Sequence, residues 1–101
     1  MDGTAKLLSA TYAKDAYGVE KRTTTAREVF CRERSITRQE FYDAGRNGLN
    51  PQYLLTVFYA DYEGEALIEY KGAKYAIYRT FRKEDSDYIE LYLERQGGAN
   101  G

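Results

Sequence analysis

Histidine and tryptophan are absent from this chain, and cysteine occurs once. Without histidine, Ser-His and Cys-His nucleophile pairs are excluded, and so are histidine metal sites. A single cysteine cannot form an internal disulfide and is compatible with a reducing compartment. That thiol, Cys31, falls mid-strand beside Val29, where a buried and inert side chain is expected. No Gly-rich phosphate loop is present. No apolar run reaches membrane length and no signal peptide is recognisable. The expectation is a soluble protein of the cytoplasm, or of a particle assembled there, with no membrane contact.

A dominant charge is lacking too. The formal net charge is −1, and neither half of the chain is strongly basic. A dedicated phosphate-binding face is therefore not indicated. Asp61, Glu63 and Glu65 lack the ligand pattern of a calcium loop and read as a solvated acidic turn. Glu84, Asp85 and Asp87 read the same way. No catalytic constellation, cofactor site or metal site is expected.

What is present is tyrosine: eleven, with four phenylalanines, in 101 residues. Tyrosine suits twisted strands and also surfaces that become buried on association. The length fits one domain, residues 1–101, with an ordered core over about 6–95. The tail 96–101 has nothing to bury and is expected to be disordered.

The chain is organised around residues 65–94, which read as three consecutive strands. Lys71-Gly72 suits a two-residue hairpin turn, with Gly72 free to take positive φ. In that register Tyr70 faces Ala73, Ile68 faces Tyr75 and Glu69 faces Lys74, an opposite-charge pair. A one-residue slip would scatter the apolar set over both faces. Residues 88–94 alternate strictly. Pairing Arg82 with Tyr88 puts Ile77, Phe81, Ile89, Leu91 and Leu93 on one face, with Tyr78 and Tyr92 meeting on the other. That register also places Arg79 on the apolar face, its head reaching water or a buried acid at a barrel mouth. Tyr78, Tyr88 and Tyr92 read as sheet-surface packing rather than a base-stacking platform.

Earlier in the chain, residues 6–13 read as a strand with Leu8, Ala10 and Tyr12 on one face. A loop to about Arg22 leads to a second strand over 23–34, in which Val29 and Cys31 alternate with Phe30 and Arg32. At Thr37 the period changes. Thr37-Arg38-Gln39-Glu40 is a capping-box pattern, and a helix is predicted over Arg38–Arg46, ended by Gly45 or Gly48. It is too short to stand alone and must dock on the sheet. Residues 53–60 are apolar almost throughout and suit a strand covered on both sides. The sum is a mainly β fold. It is a small β-barrel or flattened sandwich of about six antiparallel strands with one short inserted helix.

Arg27, Arg32, Arg34 and Arg38 make the densest basic stretch, interrupted by Glu28 and Glu33. It can be an exposed strand face, a nucleic-acid stripe, or a surface that docks an acidic protein partner.

An ordered set of segments resembles a known family. They are the residues 26–31 (Ala-Arg-Glu-Val-Phe-Cys), 38–45 (Arg-Gln-Glu-Phe-Tyr-Asp-Ala-Gly) and 48–51 (Gly-Leu-Asn-Pro). Next come 61–65 (Asp-Tyr-Glu-Gly-Glu), 70–75 (Tyr-Lys-Gly-Ala-Lys-Tyr), 78–80 (Tyr-Arg-Thr) and 90–92 (Glu-Leu-Tyr). Their order and spacing resemble the head-tail connector proteins of long-tailed bacteriophages and prophages, called head closure, head-tail adaptor or stopper proteins. The likeness runs from about residue 7 to 98, and it lies in the ordered set rather than in one motif.

The resemblance implies a small β-barrel that joins a ring below the portal and adaptor, helps retain packaged DNA and provides the surface on which the tail docks. Implied partners are the portal/adaptor ring, tail-terminator or tail proteins, and further copies of the chain, close to packaged DNA. The implied location is the virion, after assembly in the host cytoplasm. No catalytic residues come with the family. Arg38, Phe41, Tyr42 and Arg46 on the inserted helix, with Arg79, are the expected assembly contacts. The alternative is a small β-barrel that binds nucleic acid through a Tyr/Arg face.

Overall fold

The computed structural model describes residues 2–95. The tail 96–101 and the side chain of Tyr12, for which expectations were stated above, lie outside the described residues. Six strands form a closed antiparallel barrel: β1 (Asp2–Lys14), β2 (Glu20–Arg34), β3 (Pro51–Phe58), β4 (Leu67–Tyr70), β5 (Ala73–Phe81) and β6 (Tyr88–Arg95). Around the barrel they run β1-β2-β3-β6-β5-β4, and β4 closes on β1. Helix α1 (Arg38–Arg46) is inserted between β2 and β3. Closure gives the barrel's central strands partners on both edges, which an open meander would not.

The β4–β5 turn has the register its sequence dictates. Tyr70 faces Ala73, Glu69 faces Lys74 and Ile68 faces Tyr75. Lys71 and Gly72 sit at φ 52° and 80°, the twisted two-residue turn that matches strand twist. The core fills from alternate positions: Ala5 and Leu7, Val29 and Cys31, Leu55 and Val57, Ile68 and Tyr70, then Tyr75, Ile89, Leu91 and Leu93.

Four expectations about the strands and their connections need correction. On β1 the inward residues are Ala5 and Leu7; Leu8 is buried outside the barrel cluster and Ala10 is exposed. The β1–β2 loop is shorter than expected, because Asp15 Oδ1 accepts from the backbone N–H of Tyr17 (2.8 Å) and Val19 (3.0 Å) and closes a tight turn. β3 stops at Phe58, where Tyr59–Asp61 form a single 3-10 turn.

The fourth concerns β5. Ile77 faces Leu93 as expected, but Arg79 then faces Tyr92 and Phe81 faces Glu90. Tyr78 is an extra residue, a β-bulge. It turns Arg79 and Phe81 from the inner face to the outer one. Phe81 is 49% exposed rather than core.

Helix α1 has the predicted bounds. Thr37 Oγ1 accepts from the Glu40 N–H at 3.1 Å. At the other end Leu49 N–H donates to Ala44 C=O and Gly48 N–H to Gly45 C=O, with Gly48 at φ 77°. That double bond pattern is the Schellman ending, and it requires the left-handed residue that glycine supplies.

Both ends of the barrel are closed by polar side chains. At one, the Glu65 carboxylate is buried. It accepts from the Glu63 N–H (2.8 Å) and pairs with Arg27 Nη2 (2.9 Å), while Arg27 also donates to the Asp61 carbonyl. Glu65 is thus a pinned buried acid and not part of a solvated turn. At the other end, the Tyr70 hydroxyl donates to Glu33 at 2.7 Å and Lys71 Nζ lies 3.3 Å from the same oxygen. Tyr53 packs edge-on against Tyr70 and Tyr75. The Tyr70 bond, with Lys71, pulls the Glu33 carboxyl below its ordinary value against the opposing effect of burial.

Candidate interaction surface

The outer face of β2, β3, β6 and β5 is the functional candidate, and the sequence divides it in two. On β3 the outward residues are Leu54, Thr56 and Phe58. On β6 they are Tyr88, Glu90 and Tyr92. Leu54 and Tyr92 lie at one end of the face, Phe58 and Tyr88 at the other.

Helix α1 covers the first half. Ala44, Leu54 and Tyr92 are buried there, outside the barrel cluster. Glu40 fastens the helix down. One carboxylate oxygen accepts from the Tyr78 hydroxyl at 2.9 Å, and the other pairs with Arg79 Nη2 at 2.8 Å. The Arg79 guanidinium lies over the Tyr92 ring, 4.2 Å from its centroid, and the Tyr92 hydroxyl donates to Glu90 at 2.9 Å. Burial, with the Glu40 bond, pushes the Tyr78 phenol well above its ordinary value. Burial and the Glu90 bond push Tyr92 up to about 12. The Glu40 bond raises Arg79 further, against desolvation. One phenol, Tyr78, and one cation, Arg79, therefore hold Glu40, and the bulge at Tyr78 is what brings the two out together.

The expected assembly residues fall into two groups. Arg38, Phe41, Tyr42 and Arg46 stay on the exposed side of α1, with Phe41 51% and Tyr42 64% exposed. Arg46 lies over the Tyr42 ring and 4.0 Å from Asp43. Ile36, Arg38, Phe41 and Tyr42 line one shallow depression. Arg79 is not with them. It lies beneath the helix as a partner of Glu40.

The second half of the face is open. Phe30, Phe58, Phe81 and Tyr88 come together from four adjacent strands and line a groove of about 570 Å³. Phe58 and Tyr88 stack at 5.0 Å. Arg32, Arg34 and Lys83 line the same groove, with Glu90 the one carboxylate among its described lining residues. With Phe41, all four phenylalanines of the chain are exposed, and none lies in the core. Exposed aromatic clusters of this kind mark interaction sites.

Sequence reasoning set Phe30 in alternation with Cys31 but did not single it out as a contact residue. It missed Phe58, read as doubly covered, and Phe81, read as core. The alternation that points Leu55 and Val57 inward on β3 puts Phe58 on the outer face. Nothing local marks the bulge that turns Phe81 outward. Among the described residues no group of His, Cys, Asp or Glu could hold a metal ion.

A scan against protein-family models finds no match for the chain, and a search of the curated proteins finds none either.

Proposed function

We propose that this chain is a structural component of a bacteriophage head-tail connector. It joins a ring below the portal and adaptor, helps retain packaged DNA and gives the tail its docking surface. The observation that carries the reading is the placement of all four phenylalanines on the outside of a closed barrel. A barrel that meets only water gains nothing from such a surface; a subunit packed between neighbours does. The ordered resemblance of its segments to connector proteins gives the reading its specific content. The reading assigns no catalytic residue and no cofactor.

Within it, Arg38, Phe41, Tyr42 and Arg46 contact neighbouring proteins from the exposed side of α1. Arg79 serves assembly indirectly, by fixing the helix that carries them. The alternative, nucleic-acid binding through a Tyr/Arg face, is less well supported. Two of its three candidate stacking tyrosines are taken up, Tyr78 by Glu40 and Tyr92 by Glu90, and Arg27 of its basic stretch is paired with Glu65.

The test is co-purification of the chain with the portal and adaptor proteins encoded beside it, read by native mass spectrometry. The expected result is a ring complex with the portal's symmetry. Absence of any complex, with packaged tail-less heads also offered as bait, would overturn the reading.

A further inference from the structure

We propose that the open half of the outer face is a docking groove for an acidic segment of a partner protein that carries an aromatic or aliphatic anchor. The proposal goes beyond the connector reading and does not depend on it.

The covered half supplies the first argument. There the same strands β3, β6 and β5 present an aromatic surface with an arginine, and a segment with a carboxylate, Glu40, and a small apolar residue, Ala44, packs onto it. The open half repeats that chemistry. Phe58, Tyr88 and Phe81 form an apolar floor, and Arg34 and Lys83 supply the charge that Arg79 supplies under α1. No segment of this chain covers it among the described residues, as the exposure of Phe30 (70%) shows.

Charge supplies the second. Among the described residues one carboxylate lines the groove, Glu90, and it already accepts the Tyr92 hydroxyl; Arg32 has an interaction of its own, so Arg34 and Lys83 are the cations left for a partner. Arg32 and Arg34 alternate with Phe30 along β2, so cations and apolar surface share one outward row. An acidic segment with an anchor side chain satisfies both, the anchor entering the concave floor and its carboxylates meeting the rim.

A nucleic-acid strand fits less well. Glu84, Asp85 and Asp87 are exposed on the loop that leads into Tyr88 and repel any anion; a peptide can confine its carboxylates to the Arg34 side, whereas a phosphate chain carries a charge at every nucleotide. Phe58 and Tyr88 are also stacked on one another, which uses a ring face of each that a base would need.

The experiment pans a random displayed peptide library on the immobilised full chain, subtracting binders to the Phe30→Ser/Phe58→Ser variant. Enriched sequences are expected to set Asp and Glu around a Phe, Tyr, Leu or Ile. A synthetic copy of an enriched peptide should lose about tenfold or more in affinity to Arg34→Glu/Lys83→Glu, and its binding should weaken with salt. Lys83→Glu, on an exposed loop, gives a smaller loss in the same direction and serves if the other variants fail to fold. Three results would overturn the proposal: no enrichment, enriched peptides without an excess of acids, or affinity indifferent to the charge reversals. Oligo-dT displacing the peptide at equal concentration would also overturn it and make single-stranded nucleic acid the occupant.

Discussion

Two halves of one sheet face, built from the same strands, end differently in this molecule. Around Leu54 and Tyr92 the face is closed by a helix nine residues long, held by a single carboxylate. Around Phe58 and Tyr88 it is left open. The difference is not one of hydrophobicity, since both halves are aromatic. It lies in what the chain supplies. A short helix is marginal by itself, so it forms only where the sheet gives it both apolar contact and an ion pair. In a capping box the third-position Glu turns back to the helix N-terminus. Here Thr37 caps the Glu40 N–H while the Glu40 side chain reaches across to Tyr78 and Arg79 instead. The helix trades part of its cap for an anchor on the barrel.

The comparison breaks first on stability. Leu54→Ala, in the covered half, should cost about 2–4 kcal/mol. Phe58→Ala, in the open half, should cost about 1 kcal/mol or less, because its ring is already half in water. Urea unfolding of the two variants decides this; equal losses would mean that the open half is packed like the covered one.

Next is the anchor. Glu40→Ala should cost about 1–2 kcal/mol, a value held down by the exposure of Arg79. Glu40→Gln keeps an acceptor for Tyr78 and should cost less. Hydrogen exchange should show α1 losing protection in the alanine variant while β3 and β6 keep theirs. Uniform loss across the barrel would show that Glu40 supports the whole fold and not the helix alone.

A pH measurement sharpens the same point. Tyr92 is raised from 10.0 to about 12 in the folded chain. A phenol with a raised folded pKa adds stability that is fully present below pH 10 and is lost as pH rises through about 12. Tyr78 is raised as well, mainly by burial. Stability should therefore fall over that alkaline window, and Tyr92→Phe should flatten the fall. An unchanged slope in Tyr92→Phe would remove Tyr92 from the account. The smallest effect on stability is expected at Phe41→Ala, within about 0.5 kcal/mol, with a clear loss of particle completion. Parallel loss of thermal stability and assembly would make Phe41 a packing residue.

Much of the scaffold could be read from local chemistry. The Lys71-Gly72 turn sets the register of β4 and β5, because only one pairing keeps Tyr70, Ile68 and Tyr75 together. Thr37 and Gly48 bound the helix through caps that act over a few residues. The candidate surface was less legible, for a physical reason. The bulge at Tyr78 costs one pairing and is repaid only when α1 brings Glu40 to the face, an event that no residue near Tyr78 announces. The Arg27–Glu65 pair is likewise created by barrel closure, which sets β2 and β4 on either side of β1. Strict alternation predicts faces until an inserted residue shifts them, and here the shift carries Phe81 from the core to the open groove.

The central claim is that the uncovered aromatic surface exists for assembly and not for folding. The most direct test combines Phe58→Ser with Phe81→Ser and takes two readings: the urea midpoint of the isolated chain, and complex formation with the neighbouring portal and adaptor proteins by native mass spectrometry. The account predicts a midpoint close to that of the unaltered chain together with loss of the ring complex. A variant that joins the ring as well as the unaltered chain would contradict it.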